Sequence, residues 1–174
     1  MPMSPREILK IRLRNEYYEL QKIPKNNGFY DITPAPGEEA PYVQKYHVTY
    51  HIPTFIKQGS SIQRDTKVEI SIPDSFPVGA PKMTVIEGAV PFHVNWWAES
   101  GDLCNGNFWN PDRWLYEYVA FAGEVLAFRT ERVNVNSPAN RNAIPFYESN
   151  KHRFPTIKDA MPGPRAKRKF KILD

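Results

Sequence analysis

The chain has 174 residues, 41% of them hydrophobic and 24% charged, which suits one ordinary domain with a buried core. No apolar run reaches the roughly 20 residues of a bilayer span, and Met-Pro-Met-Ser-Pro-Arg-Glu is no secretory signal, so a cytoplasmic protein is expected. The formal charge of +4 is mild and gathers in Arg165, Lys167, Arg168, Lys169 and Lys171, a run that reads as a solvated tail and disfavours nucleic-acid binding as the main activity.

The first element is a helix with a clear start. Ser4 and Glu7 have capping-box spacing, and Pro5 takes the first helical position. Leu9, Leu13, Tyr17 and Leu20 make one apolar stripe, while Arg6, Lys10 and Arg14 line another face. Pro24 and Asn27-Gly28 end the helix. Phe29 to Thr33 is a short strand. From Tyr42 to Ile52, residues Tyr42, Tyr46, Val48, Tyr50 and Ile52 point one way, Gln44 being the polar exception. A polar loop from Lys57 to Gln63 leads to a third strand carrying Val68, Ile70 and Ile72, and Lys82 to Ile86 is a fourth. The pattern is an antiparallel meander with a rigid turn at Pro73, Pro77 and Pro81.

A long irregular stretch, Glu87 to Trp109, holds the only cysteine, Cys104. Segments of this length without regular structure tend to be functional. Asn110-Pro111 then reads as a cap opening a helix with Leu115, Tyr118, Val119, Ala122, Val125 and Leu126 on its apolar face. After a loop at Asn134 to Pro138, another helix starts near Asn140 and carries Ala143, Phe146 and Tyr147. Pro155 breaks it, and a short last helix is expected before Pro162-Gly163-Pro164. Residues 1–161 form the domain and 162–174 a flexible basic tail.

A lone cysteine excludes an intrachain disulfide and fits a reducing compartment, but it can be a small buried hydrophobe as well as a nucleophile. Its neighbours Gly101, Asn105, Gly106 and Asn107 keep bulk away from the sulfur. No ligand spacing for zinc, no phosphate-cradling loop, no dinucleotide fingerprint and no hydrolase signature accompanies it.

Five segments, in order, carry a resemblance. They are Phe76-Pro77-Val78-Gly79-Ala80-Pro81-Lys82-Met83, His93-Val94-Asn95, Gly101-Asp102-Leu103-Cys104, Trp109-Asn110-Pro111, and Asn142-Ala143 with Tyr147 and Phe154. Together, over residues 4 to 155, they resemble the ubiquitin-conjugating enzyme family: its proline-rich turn, its His-Pro-Asn tripeptide, its active cysteine, its Trp-x-Pro and its penultimate helix. His93 and Cys104 are eleven positions apart, close to the family's spacing. Val94 stands where the family has proline, the step from Cys104 to Trp109 is short, and Trp96 and Trp97 are atypical. These departures point to a divergent branch, such as bacterial relatives encoded with their own activating enzymes.

The resemblance implies an α+β fold with an N-terminal helix, a four-stranded antiparallel meander, a long active-site loop and C-terminal helices. It implies that Cys104 accepts a ubiquitin-like protein from an adenylating activating enzyme as a thioester and passes it to a lysine of a protein substrate, with or without a ligase. No metal or organic cofactor is needed for that. Asn95 is then either an amide donor to the oxyanion or a brace for the loop, and His93 positions the segment or contributes to catalysis. Family members often carry an acidic or polar residue on the loop after the second helix to orient the lysine. With that loop taken as Asn134 to Ala139, Asn136 and Ser137 are the candidates. Arg6, Lys10 and Arg14 would dock the activating enzyme, since positive charge speeds encounter with an acidic partner. The rival within the same fold is a non-catalytic module that binds a ubiquitin-like protein.

Overall fold

In the computed structural model, which describes residues 1–165, helix α1 (Pro5–Gln21) starts as its capping box predicts. The Glu7 N–H donates to the Ser4 hydroxyl at 3.3 Å, and the Ser4 N–H donates to the Glu7 carboxylate at 2.8 Å. Leu9, Leu13 and Leu20 are buried and Tyr17 half-buried. Arg6, Lys10 and Arg14 are exposed, as an unpaired polar face should be.

Among the described residues six strands follow: β1 (Tyr30–Pro34), β2 (Lys45–Tyr50), β3 (Thr54–Ile56), β4 (Ser61–Gln63), β5 (Thr66–Ser71) and β6 (Lys82–Glu87). The main sheet is the expected antiparallel meander, in the order β1-β2-β5-β6. Two details differ from the sequence expectation. Strand β2 begins only at Lys45, because the Gln44 N–H donates to the Glu38 carboxylate and its side-chain amide to the Ile72 carbonyl. Tyr42 therefore lies before the strand and is exposed, while Val43 is fully buried. The supposed polar loop at 57–63 contains half of a second sheet, the hairpin β3–β4, which buries Phe55.

Helix α2 (Leu115–Leu126) lies across the sheet, and its Leu115, Tyr118, Val119, Ala122, Val125 and Leu126 meet Tyr46, Val48, Tyr50, Val68, Ile70 and Met83 in the main core. The Tyr50 hydroxyl donates to the Val119 carbonyl at 2.7 Å. The helix starts four residues after Pro111, not there. Asn110 accepts locally from Asp112 N–H, and the Pro111 and Arg113 carbonyls accept from the Arg12 guanidinium. What caps α2 is a residue of α1: the buried Glu16 carboxylate accepts from Leu115 N–H at 2.8 Å, while its other oxygen takes Arg12 Nε at 2.8 Å. Glu117 closes the turn by accepting from Trp114 N–H at 2.7 Å.

Helix α3 (Ala143–Ser149) and the hairpin enclose a second, smaller cluster of Phe55, Val94, Phe128, Ala143 and Tyr147. Gly59 passes so close to the Phe146 ring that a Cβ there would lie 2.2 Å from it, and its φ of +85° also favours glycine. The helix expected before Pro162 is not formed. Residues 154–161 run instead as an irregular strap, with Met161 against Gly123. The strap continues past the expected boundary at 161: Tyr30 donates to the Pro162 carbonyl at 2.7 Å, and Arg165 N–H to the Lys22 carbonyl at 3.2 Å. The remainder of the basic tail, with Lys167, Arg168, Lys169 and Lys171, lies outside the described residues. No helix among the described residues is long and apolar enough to cross a membrane.

Candidate active site

Cys104 lies half-buried just after a short antiparallel bridge in which Trp96 faces Leu103. Its N–H donates to the Asn95 carbonyl at 2.8 Å, so the sulfur's residue and the His93-Val94-Asn95 segment are adjacent, as their order in the sequence suggests. The next residue is fixed too. Asn105 Nδ2 donates to the Pro81 carbonyl at 2.9 Å, and its Oδ1 accepts from the Tyr118 hydroxyl at 2.7 Å. Burial raises the Tyr118 pKa, so the hydroxyl stays a donor. Trp109 Nε1 donates to the Pro77 carbonyl at 2.9 Å and ties the proline-rich turn to the segment beyond Cys104.

Asn95, only 5% exposed, joins three stretches of chain. Its Nδ2 donates to the Arg132 carbonyl at 2.6 Å, and its Oδ1 accepts from Asn134 N–H at 3.0 Å. The neighbouring Val94 carbonyl accepts from Ala139 and Asn140 N–H. The bracing role is thus filled, with one amide hydrogen of Nδ2 left over.

His93 is fully buried, its ring 4.2 Å from that of Phe128. Nδ1 accepts from Asn95 N–H at 2.9 Å, which fixes a neutral ring. Burial pushes its pKa down to about 3, only partly offset by the Val125 backbone. It does not line the space around Cys104.

Cys104 opens on a cleft of about 390 Å³, lined by Asn95, residues 104–108, Arg113, Phe121 and residues 131–134. Asn136 and Ser137, expected to reach the acceptor, are exposed but do not line it; the Ser137 N–H instead closes a turn onto Asn134 Oδ1 at 3.1 Å. The loop after α2 begins at Ala127, not at Asn134, and this brings in an acid that the sequence reading missed, Glu131. Also missed is the cleft's back wall. Phe108 and Phe121 stack at 4.2 Å and 11°, with the Arg113 guanidinium 4.1 Å from the Phe108 ring and that of Arg132 5.4 Å from Phe121. Aromatic and arginine positions around a cysteine were the available signal. Arg6 and Lys10 line a separate groove with Gln44 and Asp74, away from the cleft. Among the described residues no cluster of three His, Cys, Asp or Glu is placed to hold a metal ion.

No protein-family model matches the chain, and no curated protein matches it. Solved structures do. A Plasmodium yoelii protein assigned to the ubiquitin conjugating enzymes aligns over 90% of this chain and 92% of its own, at 16% identity and TM-score 0.57. The E2 domain of a Toxoplasma gondii ubiquitin conjugating enzyme aligns over 84% and 90%, at 17% identity and TM-score 0.56. Human ubiquitin-conjugating enzyme E2 G1 aligns over 74% of this chain and 100% of its own, at 20% identity and TM-score 0.53. At such identities the likeness is one of backbone architecture, and the chain has the fold of the ubiquitin-conjugating enzymes.

Proposed function

We propose that this chain carries a ubiquitin-like protein as a thioester on Cys104 and transfers it to a lysine amine. The observation that carries the reading is that the only thiol of the chain lines an open cleft and that its residue is bonded through its backbone to Asn95. Thioester exchange requires a thiolate, and cysteine is the side chain that supplies one near neutral pH. In the first step the Cys104 sulfur attacks the modifier's thioester carbonyl on the activating enzyme, whose thiolate leaves. In the second, the lysine nitrogen attacks the new thioester, the C–N bond forms, the C–S bond breaks and the Cys104 thiolate departs.

Asn95 has a spare amide hydrogen for the oxyanion that develops in both steps, and its own fixation means that this donor needs no reorganisation. Glu131, in place of Asn136 and Ser137, is the side chain suited to hold the incoming ammonium and take its proton. Arg6, Lys10 and Arg14 offer α1 to an acidic activating enzyme. The reducing cytoplasm is the compartment in which a lone working thiol persists.

The test is incubation with an activating enzyme, ATP and modifier. The expected product is an adduct cleaved by excess thiol, replaced in Cys104→Ser by a thiol-resistant ester and absent in Cys104→Ala. An adduct unchanged in Cys104→Ala overturns the proposal, as does modifier binding without any adduct, which would identify a non-catalytic module.

A further inference from the structure

The cleft wall facing Cys104 carries two guanidiniums in an unusual setting. Arg113 is anchored through Nε to the Phe108 carbonyl at 2.6 Å, and Arg132 through Nε to the Glu124 carboxylate at 2.6 Å. The Arg113 head lies over the Phe108 ring, and the Arg132 head lies near both stacked rings, Phe108 and Phe121. Their outer edges are little used among the described residues: Arg113 Nη1 reaches Glu117 at 3.3 Å, and Arg113 Nη2 and both terminal nitrogens of Arg132 have no hydrogen-bond acceptor. An arginine held by its inner nitrogen and by a ring face, with the outer fork open, is preorganised for bidentate binding of a carboxylate. The same cleft holds one carboxylate of its own, Glu131. The two signs together match an acceptor that presents an ammonium and a carboxylate side by side.

Resting on the thioester reading above, we infer that Arg113 and Arg132 select the acceptor: this cleft takes lysines flanked by acidic side chains. The ammonium first gives one proton to Glu131, and the neutral amine then attacks the Cys104 thioester. The nitrogen's second proton passes to solvent as the C–S bond breaks and the Cys104 thiolate leaves, while the flanking carboxylate is held by the arginine forks. Glu117 and Glu124 temper the positive charge of the two arginines, so selection comes from directed hydrogen bonds more than from a diffuse field. Neither arginine forms the new bond. They are specificity residues.

The experiment needs no partner protein. Cys104 is loaded by exchange with the mercaptoethanesulfonate thioester of acetyl-Gly-Gly, excess thioester is removed, and loss of the acyl group is followed by mass spectrometry. Two acetylated peptides compete as acceptors, Gly-Glu-Lys-Glu-Gly and Gly-Gln-Lys-Gln-Gly, with the same acyl group on a free cysteine peptide as reference. The expected result is discharge to the acidic peptide faster by about tenfold than to the neutral one, after correction by the reference. That ratio should fall towards one in Arg132→Gln and in Arg113→Gln, and in about 1 M salt. Equal rates for the two peptides on the native protein overturn the inference and leave the thioester reading standing. A ratio that persists in both variants overturns it as well. Discharge to both peptides no faster than the reference overturns the thioester reading and this inference with it. Because the peptide comparison is made first on the native protein, it decides the matter even if a variant misfolds.

Discussion

Burying His93 as a neutral ring makes the domain's stability depend on pH in one direction. In the unfolded chain the imidazole takes a proton near its ordinary 6.5, whereas in the folded protein it resists protonation down to about 3. Between those values the unfolded state binds more protons, so the contribution is complete above 6.5 and is lost as pH falls. Relative to a His93→Gln variant, the native protein should lose about 1.4 kcal/mol per pH unit below pH 6.5, with the difference levelling near pH 3. Urea midpoints of both proteins at a series of pH values measure this, and parallel curves would contradict it. Lowered carboxylates such as Glu69 and Asp102 also favour unfolding in acid, but they are common to both proteins and drop out of the difference. From sequence two roles for His93 stand open, positioning the segment and contributing to catalysis; its burial and its bond to Asn95 N–H were not legible there. Glu131 was not visible, because the end of α2 at Leu126 is followed by a residue with positive φ, Phe128, that no local pattern announces.

Between elements, the largest single commitment is Glu16. Its carboxylate has no exposure, and burial raises its pKa against the pull of Leu115 N–H and Arg12. Glu16→Ala would leave a guanidinium and a helix-terminal N–H without their shared acceptor, at a cost of about 3–5 kcal/mol. Glu16→Gln, which keeps one acceptor oxygen, should cost clearly less. Chemical denaturation of the two variants measures the order, and equal losses would mean that the charge itself is dispensable. This contact explains what could and could not be read from the sequence. The start of α1 is written in four adjacent residues, Ser4 to Glu7, and was legible. The start of α2 depends on a carboxylate ninety-nine positions away, so the nearby Asn110-Pro111 looked like the cap and is not. The hairpin β3–β4 escaped notice because three-residue strands leave no periodicity to detect.

At the scale of the whole molecule, the order of helix, meander, irregular segment and helices was legible because each core element shows its own apolar repeat, and the cysteine's place followed from that order. What closes the molecule is less visible: the strap from Phe154 to Arg165, which packs Met161 onto Gly123 and receives the Tyr30 hydroxyl at Pro162. A chain ending at Ala160 should be less stable by roughly 2–3 kcal/mol, from one partly buried apolar side chain and two lost hydrogen bonds. Thermal unfolding of the shortened chain checks this, and an unchanged midpoint would mean that the strap only rests on the surface. The single thiol of the chain has a practical consequence as well. A maleimide fluorophore can attach at one address only, the mouth of the cleft, so its emission would report the arrival of any molecule there without interference from a second label.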